Sequence, residues 1–596
     1  MEELSVKISE LERKIAALPQ GSITVKRIKG RDYYYHRVIK NGNRSETYIP
    51  FDQVDRMRTQ ISERKVLETM LKKLRKQVPA TIQDTPVDSA VFHTIVRMGD
   101  VLRAQIAVVR KYKKRECIQK LRDYIFGDNT DKVFVLYGLR RTGKTTMIRQ
   151  ILAEFSDVEF CKAVFIQAKR GDTLSDINDD LRLLESKGFK YVFIDEVTLI
   201  EDFIEGAALF SDIYAGSGMR IVLTGTDSLG FIFTQDDQLY DRAITLHTTF
   251  IPYCEFEDVL GITGIDEYIR YGGTMSISGK NYNKESTFAT VKKSNEYIDT
   301  AIANNIQHSL KYYQDGGHFR QLFDLYRQGE LTNVINRVVE NINHRFTLDV
   351  VKKAFKSSEI SITARNMLHD KESSIDIKKH LDLDAVTFGI MQTLEILNKE
   401  DQMIDVQESH MAQIKEYLTL LDLIVEADLV SLPDTDNNQK LTIITQPGMR
   451  YSQADAIVSN ILQDKKFNEL SVFDKSRVID RLRSEIMGRM MEEIVLLETK
   501  LSLPDKQVFK LQFAVGEFDM VIFDPDKLCC EIFEIKHSKE RVPEQYRHLI
   551  DEKKCKATEH RYGTIVGKYV IYRGKTTDSD GIRYLNVEEY LKTGKE

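Results

Sequence analysis

The chain has 596 residues, of which 42% are hydrophobic and 30% are charged, and its formal net charge is −5. This length predicts several domains, and the apolar fraction excludes a chain that is mainly disordered. No apolar run approaches the roughly 20 residues that span a bilayer, and the amino-terminal residues are acidic and amphipathic, unlike a secretory signal. We therefore expect no membrane partner and a cytoplasmic location. The six cysteines form no CxxC pair, which predicts reduced thiols.

Positive charge is concentrated near the amino terminus. Residues 1–80 hold 18 Lys and Arg against 10 Asp and Glu, a net charge of +8, which leaves −13 for the remainder. A basic segment on an acidic body favours an anionic partner, with nucleic acid as the leading candidate and DNA preferred over RNA. A solvated pair of basic helices is the alternative, and the sequence leaves both open.

The local pattern within residues 1–80 predicts a helical hairpin with a small β tip. Two apolar stripes at helical spacing flank a segment rich in β-branched and aromatic residues, with turns at Gly30-Arg31 and Asn41-Gly42. Basic side chains and Tyr33–Tyr35 in this tip suit phosphates and bases. Tyrosines that simply cover a small sheet are the alternative.

The pattern changes after residue 115, where short apolar runs alternate with helical stretches. Continuous apolar strands separated by helices predict a parallel sheet buried on both faces, so the fold class is multidomain α/β. We expect the remaining regions in this order: a linker and helix at 81–114, a P-loop ATPase core at 115–250, a helical lid at 251–310, a helical, winged-helix-like region at 311–480, and an α/β domain at 481–596.

A phosphate-binding loop follows the first of these strands. Residues 138–145 fit the pattern GxxxxGK[ST] between an apolar strand and a helix, which is the context that this motif requires. Glycines let the backbone approach phosphates closely, and the free N–H groups at the helix start favour an anion. We expect Lys144 to reach the β and γ phosphates of ATP and Thr145 to bind Mg²⁺. The predicted ATP-binding residues are Gly138, Arg140, Arg141, Thr142, Gly143, Lys144, Thr145 and Thr146.

Two further strand ends carry polar side chains. Asp195 and Glu196 end an apolar strand, where Asp195 would hold Mg²⁺ and Glu196 would act as general base. Thr224 ends the next strand and could contact the attacking water or the γ phosphate, or simply belong to a turn. Arg242 could act as an arginine finger in cis or in trans, and a plain salt bridge is the alternative.

Carboxylates recur near the carboxyl terminus. Asp519 lies on one predicted strand, and Glu534 and Lys536 share one face of the next, because residues i and i+2 of a strand point the same way. Asp519 and Glu534 could bind Mg²⁺ at a scissile phosphate, and Lys536 could stabilise negative charge. An ordinary surface hairpin is the alternative.

These motifs resemble the prokaryotic AAA-type ATPases often called archaeal ATPases, which are related to AAA+ and STAND proteins. The resemblance rests on VFVLYGLRRTGKTTMIRQ, KYVFIDEVTLIEDF, RIVLTGTDSLG and the later FEDVLGI and YIRYGGTM. It implies that Thr224 is a sensor residue and that Arg242 takes the arginine position before the lid. It also implies a helical, winged-helix-like region and a restriction-endonuclease-like domain after the ATPase.

The carboxyl-terminal residues resemble the PD-(D/E)xK nucleases, with Phe518 in place of the proline that names the family. This resemblance assigns Asp519, Glu534 and Lys536 to catalysis and gives Glu492 the acidic helix position. We therefore expect an ATPase that is coupled to a DNA-processing domain and acts in defence or mobile-element biology. A homo-oligomer is one assembly that this resemblance allows. A STAND-like signalling or scaffold ATPase with an inactive nuclease-like domain is the alternative, and a nucleic-acid-remodelling motor is a third.

Overall fold

The computed structural model describes residues 19–67 in part, 92–274 with short gaps, parts of 291–350 and 407–593 with short gaps. The chain divides into two compact units, Met1–Val91 and Phe92–Glu596. The segment at 373–406 that we predicted as a winged helix, and the first apolar stripe of the amino-terminal hairpin, lie outside the described residues. The architecture is multidomain α/β with a mixed, largely parallel sheet that fits a P-loop nucleotide-binding core.

The amino-terminal unit contains a three-stranded antiparallel sheet in the order β1-β2-β3. The strands are β1 (Ser22–Ile28), β2 (Arg31–Lys40) and β3 (Asn43–Ile49). The small β tip predicted from the sequence therefore has three strands, in which β1 pairs with β2 and β2 with β3, both antiparallel. The rings of Tyr35 and Tyr48 pack edge to face with centroids 5.8 Å apart, so one aromatic pair links the adjacent strands β2 and β3.

The second unit begins with a six-stranded sheet in the order β4-β6-β7-β8-β5-β9. All neighbours in this six-stranded sheet are parallel except β4 and β6. Its strands are β4 (Ile95–Arg97), β5 (Val133–Gly138), β6 (Ala163–Gln167), β7 (Tyr191–Asp195), β8 (Arg220–Gly225) and β9 (Ala243–Thr248). Since β4 lies within 81–114, that segment contributes a strand to the sheet and is not only a linker and helix.

Helices cover both faces of the six-stranded sheet. Val133 and Val135 pack on one side with residues of α5 and of the π-helix Phe210–Ala215, and Phe134 and Leu136 pack on the other with α1, α2 and α3. This alternation explains why the strands are apolar throughout. The helices of this part are α1 (Gly99–Val109), α2 (Ile118–Phe126), α3 (Lys144–Leu152), α4 (Asp157–Phe160), α5 (Leu174–Ser186) and α6 (Phe203–Gly206).

An eight-stranded sheet forms the carboxyl-terminal part, in the order β11-β10-β12-β13-β14-β15-β17-β16. Its first two strands lie within 311–480, which we predicted to be a helical, winged-helix-like region, and β10 pairs in parallel with β12. The helix Glu408–Leu420 precedes this sheet, and Ile424 begins β10. The strands are β10 (Ile424–Leu432), β11 (Gln439–Ile444), β12 (Gln507–Phe513), β13 (Glu517–Asp524), β14 (Cys529–Lys536), β15 (Thr564–Tyr572), β16 (Thr577–Ser579) and β17 (Ile582–Asn586).

One hydrophobic core joins the predicted lid to the carboxyl-terminal part. Tyr253, Phe256 and Ile265 share this core with Met490 and Met491 of the long helix α13. Among the described residues, none of the helices is both long and apolar enough to cross a membrane. The helices are α7 (Tyr253–Leu260), α8 (Ile265–Tyr271), α9 (Val291–Tyr297), α10 (Arg320–Gln328), α11 (Glu408–Leu420), α12 (Pro447–Ile461), α13 (Val472–Ser502), α14 (Glu552–Tyr562) and α15 (Val587–Thr593).

Asp180 anchors the backbone of residues 93 and 94, which lead into β4 of the six-stranded sheet. Its buried carboxylate accepts hydrogen bonds from the backbone N–H groups of His93 and Thr94 and from the Thr94 hydroxyl, at 2.6–2.9 Å. We expect Asp180→Ala to lower the free energy of unfolding by about 2–4 kcal/mol, because buried donors lose their acceptor. The chain has no tryptophan, so urea unfolding is best followed by circular dichroism. The exposed neighbour Asp179→Ala is the control and should change stability by less than about 0.5 kcal/mol.

Candidate functional site

The predicted phosphate loop joins buried β5 to α3, which begins at Lys144. Gly138 and Gly143 have φ angles of 133° and 91°, a region that side chains disfavour. A Cβ atom on Gly138 would lie 2.1 Å from the Thr248 carbonyl oxygen of β9, so the loop can hold this position only with glycine. The first N–H groups of α3 have no partner within the helix and face the loop, which suits an anion.

Lys144 is buried beneath this loop. Its ammonium donates to the carbonyl oxygens of Gly138 at 2.8 Å and Leu139 at 2.7 Å. Burial lowers the pKa of Lys144 to about 8, although Glu196 and Asp195 oppose the shift. The charge of this lysine is therefore incompletely compensated by the protein, and a polyphosphate would supply the missing negative charge.

The Thr145 hydroxyl and the Asp195 carboxylate meet at the end of the sheet. Thr145 Oγ1 donates to Asp195 Oδ2 at 2.9 Å, and Thr224 Oγ1 donates to Asp195 Oδ1. Because β8 lies between β7 and β5, Thr224 stands between the strand that bears Asp195 and the phosphate loop. A hydroxyl and a carboxylate at this distance are a donor set that suits Mg²⁺.

Glu196 follows Asp195 in a left-handed conformation, with φ of 57°. Its Oε2 accepts hydrogen bonds from Thr226, at 3.1 Å from the hydroxyl and 3.3 Å from the backbone N–H. Burial raises the pKa of Glu196, and repulsion from Asp195 adds to the rise, while Lys144 opposes it. A carboxylate with a raised pKa is a better proton acceptor near neutral pH, so these contacts are consistent with a general base.

The remaining predicted loop residues have different surroundings. Arg140 and Arg141 are exposed, and Arg141 has a positive φ of 65°. Thr142 is buried, and its hydroxyl donates to the Thr248 hydroxyl at 2.9 Å and to the Leu139 carbonyl at 2.9 Å. Thr146 lies in the first turn of α3 and is partly buried. The loop is thus anchored through the buried Thr142, whereas Arg140 and Arg141 are exposed to solvent.

Arg242 lies at the opposite end of the six-stranded sheet. Its carbonyl oxygen accepts from Val133 N–H at the start of β5, whereas the phosphate loop follows the end of that strand. Its guanidinium pairs with Asp212 at 2.8 Å. The structure therefore does not bring Arg242 to the phosphate loop of its own chain, because parallel strands place the residue before β9 about 20 Å from the residue after β5.

Arg115 supports the phosphate loop, a role that no sequence motif indicated. Its guanidinium donates to the Thr142 carbonyl oxygen at 2.8 Å and pairs with Glu255 of α7 at 2.5 Å, and the two side chains are only 6% and 5% exposed. The partners are 140 residues apart, so no local pattern could have linked them. This buried ion pair ties the loop to α7.

A second polar cluster lies in the eight-stranded sheet and brings together the predicted residues Asp519, Glu534 and Lys536. The Lys536 ammonium lies 2.8 Å from Asp519 Oδ2 and 2.6 Å from Glu534 Oε2. Asp519 Oδ2 also accepts from the backbone N–H of Ile535 at 2.8 Å. The three side chains therefore form one connected network at the β13–β14 pair.

Three carboxylates lie together on one side of this cluster, namely Glu492, Glu517 and Asp519. We call these three residues the acidic site. One oxygen from each lies within 4.8 Å of the others, as a metal ion would require. Glu492 comes from α13, as the resemblance implied. Glu517 was not singled out from the sequence, although it precedes Asp519 by two residues and so shares its face of β13. Nor was the buried Lys510, which lies beside all three carboxylates.

Glu534 is nearly fully buried, and its Oε1 has no hydrogen-bond partner among the described residues. Burial raises the pKa of Glu534 to about 8, while Lys536 opposes this rise and Asp519 adds to it. Although burial lowers the pKa of Lys536, the Asp519 and Glu534 carboxylates outweigh it and raise that pKa. An orphaned, buried carboxylate oxygen in a network with Lys536 and Asp519 fits a divalent cation.

Two segments of the chain match known protein families, and one of them contains most of the six-stranded sheet. Residues 130–257 match the family described as "AAA domain", and residues 1–59 match a family described as "Domain of unknown function (DUF6788)". The first match covers the phosphate loop, Asp195, Glu196 and Thr224. With the geometry above, it defines a P-loop ATPase domain. This domain is of the AAA type.

Similar proteins are distant. Uncharacterized protein MJ1544 of Methanocaldococcus jannaschii is 24% identical over 232 residues, which cover 36% of this chain and 46% of that protein. The chain thus spans about half the length of this curated relative. Structural neighbours include Cdc6p of Pyrobaculum aerophilum, with 10% identity, a TM-score of 0.22 and coverage of 66% of this chain and 98% of that one. Another is ORC1 of Aeropyrum pernix, solved in complex with DNA, with 12% identity, a TM-score of 0.21 and coverage of 66% and 97%. At these TM-scores the alignments do not establish a shared overall fold.

The buried Arg115–Glu255 pair provides a stability test. Arg115→Ala leaves the Glu255 carboxylate buried without its cation, so we expect the free energy of unfolding to fall by about 3–5 kcal/mol. Replacing both residues by Met should cost much less, because no buried charge remains. Urea unfolding followed by circular dichroism measures both variants. An equal loss of stability in the single and double variants would show that packing, rather than the charge, is the main contribution.

Proposed function

We propose that this chain couples ATP hydrolysis in its AAA-type domain to a nuclease-like carboxyl-terminal domain that processes DNA. The contact between Thr145 and Asp195 carries the first half of this proposal, because it brings a Mg²⁺-binding hydroxyl and carboxylate to the phosphate loop. The assembled Asp519, Glu534 and Lys536 support the second half. The pairing of these two domains would suit phage defence or mobile-element biology.

Each residue of the ATP site has a distinct proposed role. The loop N–H groups and Lys144 bind the phosphates and offset their charge, and Thr145 and Asp195 would hold Mg²⁺, which would supply positive charge beside the transferred phosphoryl group. Glu196 orients the attacking water and accepts its proton. Thr224 holds Asp195 in position through its hydrogen bond. Since phosphoryl transfer depends mainly on positioning and electrostatics, this set is sufficient in kind.

The order of elements around the acidic site supports a restriction-endonuclease-like domain. Helix α13 is followed by the antiparallel strands β12, β13 and β14, then by α14 and the parallel strand β15. In this arrangement Glu492, Asp519 and Glu534 would hold Mg²⁺, which would activate a water beside a scissile phosphate. Lys536 would stabilise the negative charge that develops there.

The basic amino-terminal sheet supports nucleic acid as the partner. Lys26 and Arg27 lie on β1, and Arg37 and Lys40 lie on β2, the strand that also carries Tyr33–Tyr35. Cations can contact phosphates without reading sequence, and aromatic rings can stack on bases. DNA is the nucleic acid that we propose, since it is also the substrate proposed for the carboxyl-terminal domain.

Helices α7 and α8 provide a physical connection between the two sites. On one side, Glu255 of α7 binds Arg115, which holds the phosphate loop. On the other, the Tyr253 N–H donates to Glu498 of α13 at 2.8 Å, and Asp266 of α8 contacts His537 at 2.7 Å. His537 directly follows Lys536, so movement of these helices with nucleotide state would reach the acidic site. We propose this as the route of coupling.

One observation favours the alternative of a signalling or scaffold ATPase with an inactive nuclease-like domain. Each carboxylate in the acidic site already has a cationic partner, since Glu492 pairs with Arg489, Glu517 with Lys510 and Asp519 with Lys536. Such a network could stabilise the domain without binding metal. DNA cleavage separates this alternative from the main proposal.

Lys144→Ala tests the ATP site. We expect at least about a 100-fold loss of ATPase activity together with loss of nucleotide binding, because the phosphates lose their buried cation. Glu196→Gln should also slow hydrolysis, because the proposed general base is lost. It should keep nucleotide affinity within a few-fold, since Lys144 and the loop N–H groups that bind the phosphates are unchanged. The exposed Lys162→Ala is the control and should retain activity. Full ATPase activity in Lys144→Ala would refute the phosphate-loop assignment.

Lys536→Ala tests the carboxyl-terminal site. We expect loss of Mg²⁺- or Mn²⁺-dependent cleavage of single- or double-stranded DNA, with ATPase activity within about twofold of wild type, because Lys536 binds Asp519 and Glu534 in the eight-stranded sheet, away from the phosphate loop. The exposed Lys539→Ala should leave both activities unchanged. If the wild-type chain cuts none of these substrates with either metal, the alternative function is supported.

A further inference from the structure

Lys510 occupies an unusual position in the eight-stranded sheet. It lies on β12 where the pairing with β13 shifts register, between Phe509 and Leu511, and it is only 2% exposed. A lysine is rarely buried to this extent unless its charge is paired. Its side chain therefore requires a specific negative environment.

The acidic site provides that environment. The Lys510 ammonium lies 2.8 Å from Glu517 Oε1, 3.3 Å from Glu492 Oε2 and 3.8 Å from Asp519 Oδ1. These are the same three carboxylates whose oxygens approach one another closely enough to bind one metal ion. The ammonium thus contacts each carboxylate of the acidic site.

We propose that Lys510 is a built-in counter-ion that takes the place of a divalent cation in the acidic site, so that the cation binds only when Lys510 moves away. The inference deepens the proposed function, since it concerns the acidic site of the nuclease-like domain. An ammonium and a divalent cation cannot share the three carboxylates, because like charges a few ångströms apart repel strongly in a buried site.

Lys536, the other lysine of the cluster, does not have to move when a cation replaces Lys510. Lys536 contacts Asp519 through Oδ2 and continues to Glu534, whereas Lys510 approaches Asp519 through Oδ1. Lys536 can therefore stay in place while Lys510 leaves. Glu517 is 22% exposed, whereas Lys510 and Asp519 are 3% and 2% exposed, so the way out for the flexible lysine stem is along Glu517.

Metal affinity of the full-length chain tests the proposal without DNA or nucleotide. Mn²⁺ binding is measured by isothermal titration calorimetry for wild type, for Lys510→Met, which keeps the length of the side chain, and for Lys510→Arg, which keeps its charge. We expect Lys510→Met to bind one Mn²⁺ at least about tenfold more tightly than wild type, because the competing charge is gone. Lys510→Arg should resemble wild type.

Asp519→Asn identifies the site. Combined with Lys510→Met, it should remove the gain in Mn²⁺ affinity, because a ligand is lost. Equal Mn²⁺ affinity in wild type and Lys510→Met, or a gain that survives Asp519→Asn, would overturn the proposal. The result is independent of DNA cleavage, so a chain that cuts no DNA can still pass or fail this test.

A second measurement uses the wild-type chain and does not depend on the folding of a variant. The rate at which acetic anhydride modifies Lys510 is followed by peptide mass spectrometry, with and without saturating Mn²⁺. We expect Mn²⁺ to increase the modification of Lys510 severalfold, since the displaced ammonium becomes accessible, while the exposed Lys539 reacts equally in both conditions. Modification of Lys510 that is unchanged or slower with Mn²⁺ would contradict the proposal.

Discussion

The approach of Thr145 to Asp195 depends on the order of parallel strands in the six-stranded sheet. Strands β5, β8 and β7 are neighbours and run in the same direction, so their carboxyl ends meet at one edge. The phosphate loop, Thr224 and Asp195 extend from those three ends. Exchanging β8 with an outer strand would separate the hydroxyl from the carboxylate, and the loop would lose its acidic partner. Strand order is therefore the constraint on which the nucleotide site depends.

The same edge is tied to the rest of the second unit through buried charge. Arg115 holds the Thr142 carbonyl and Glu255 together, and α7 continues into a core shared with α13. A buried ion pair adds little stability compared with apolar packing, but it is sensitive to geometry. A loop that shifts when its phosphates change would disturb this pair before it disturbed the apolar core. The structure thus favours polar contacts as the carriers of any signal from the nucleotide.

The sequence predicted features that depend on contiguous residues, and it failed where distant residues meet. The phosphate loop lies within eight positions, and Asp195 directly ends an apolar strand, so both were recognised. Arg242 was misplaced because a pattern does not show which end of the sheet a residue occupies. Strand β4 has three residues, too few for periodicity, and β10 follows a helix within four residues. Lys510 was missed because its partners come from α13 and β13.

The parallel pairing of β10 with β12 has a practical consequence for dividing the chain. A fragment that begins at residue 481 would lack β10 and β11, and it would leave the backbone groups of β12 unpaired along one side. It would also lack the amino-terminal part of α13, which starts at Val472. Open strand edges recruit other chains and promote aggregation. A separable carboxyl-terminal domain therefore has to begin before residue 424, ahead of the outermost strands.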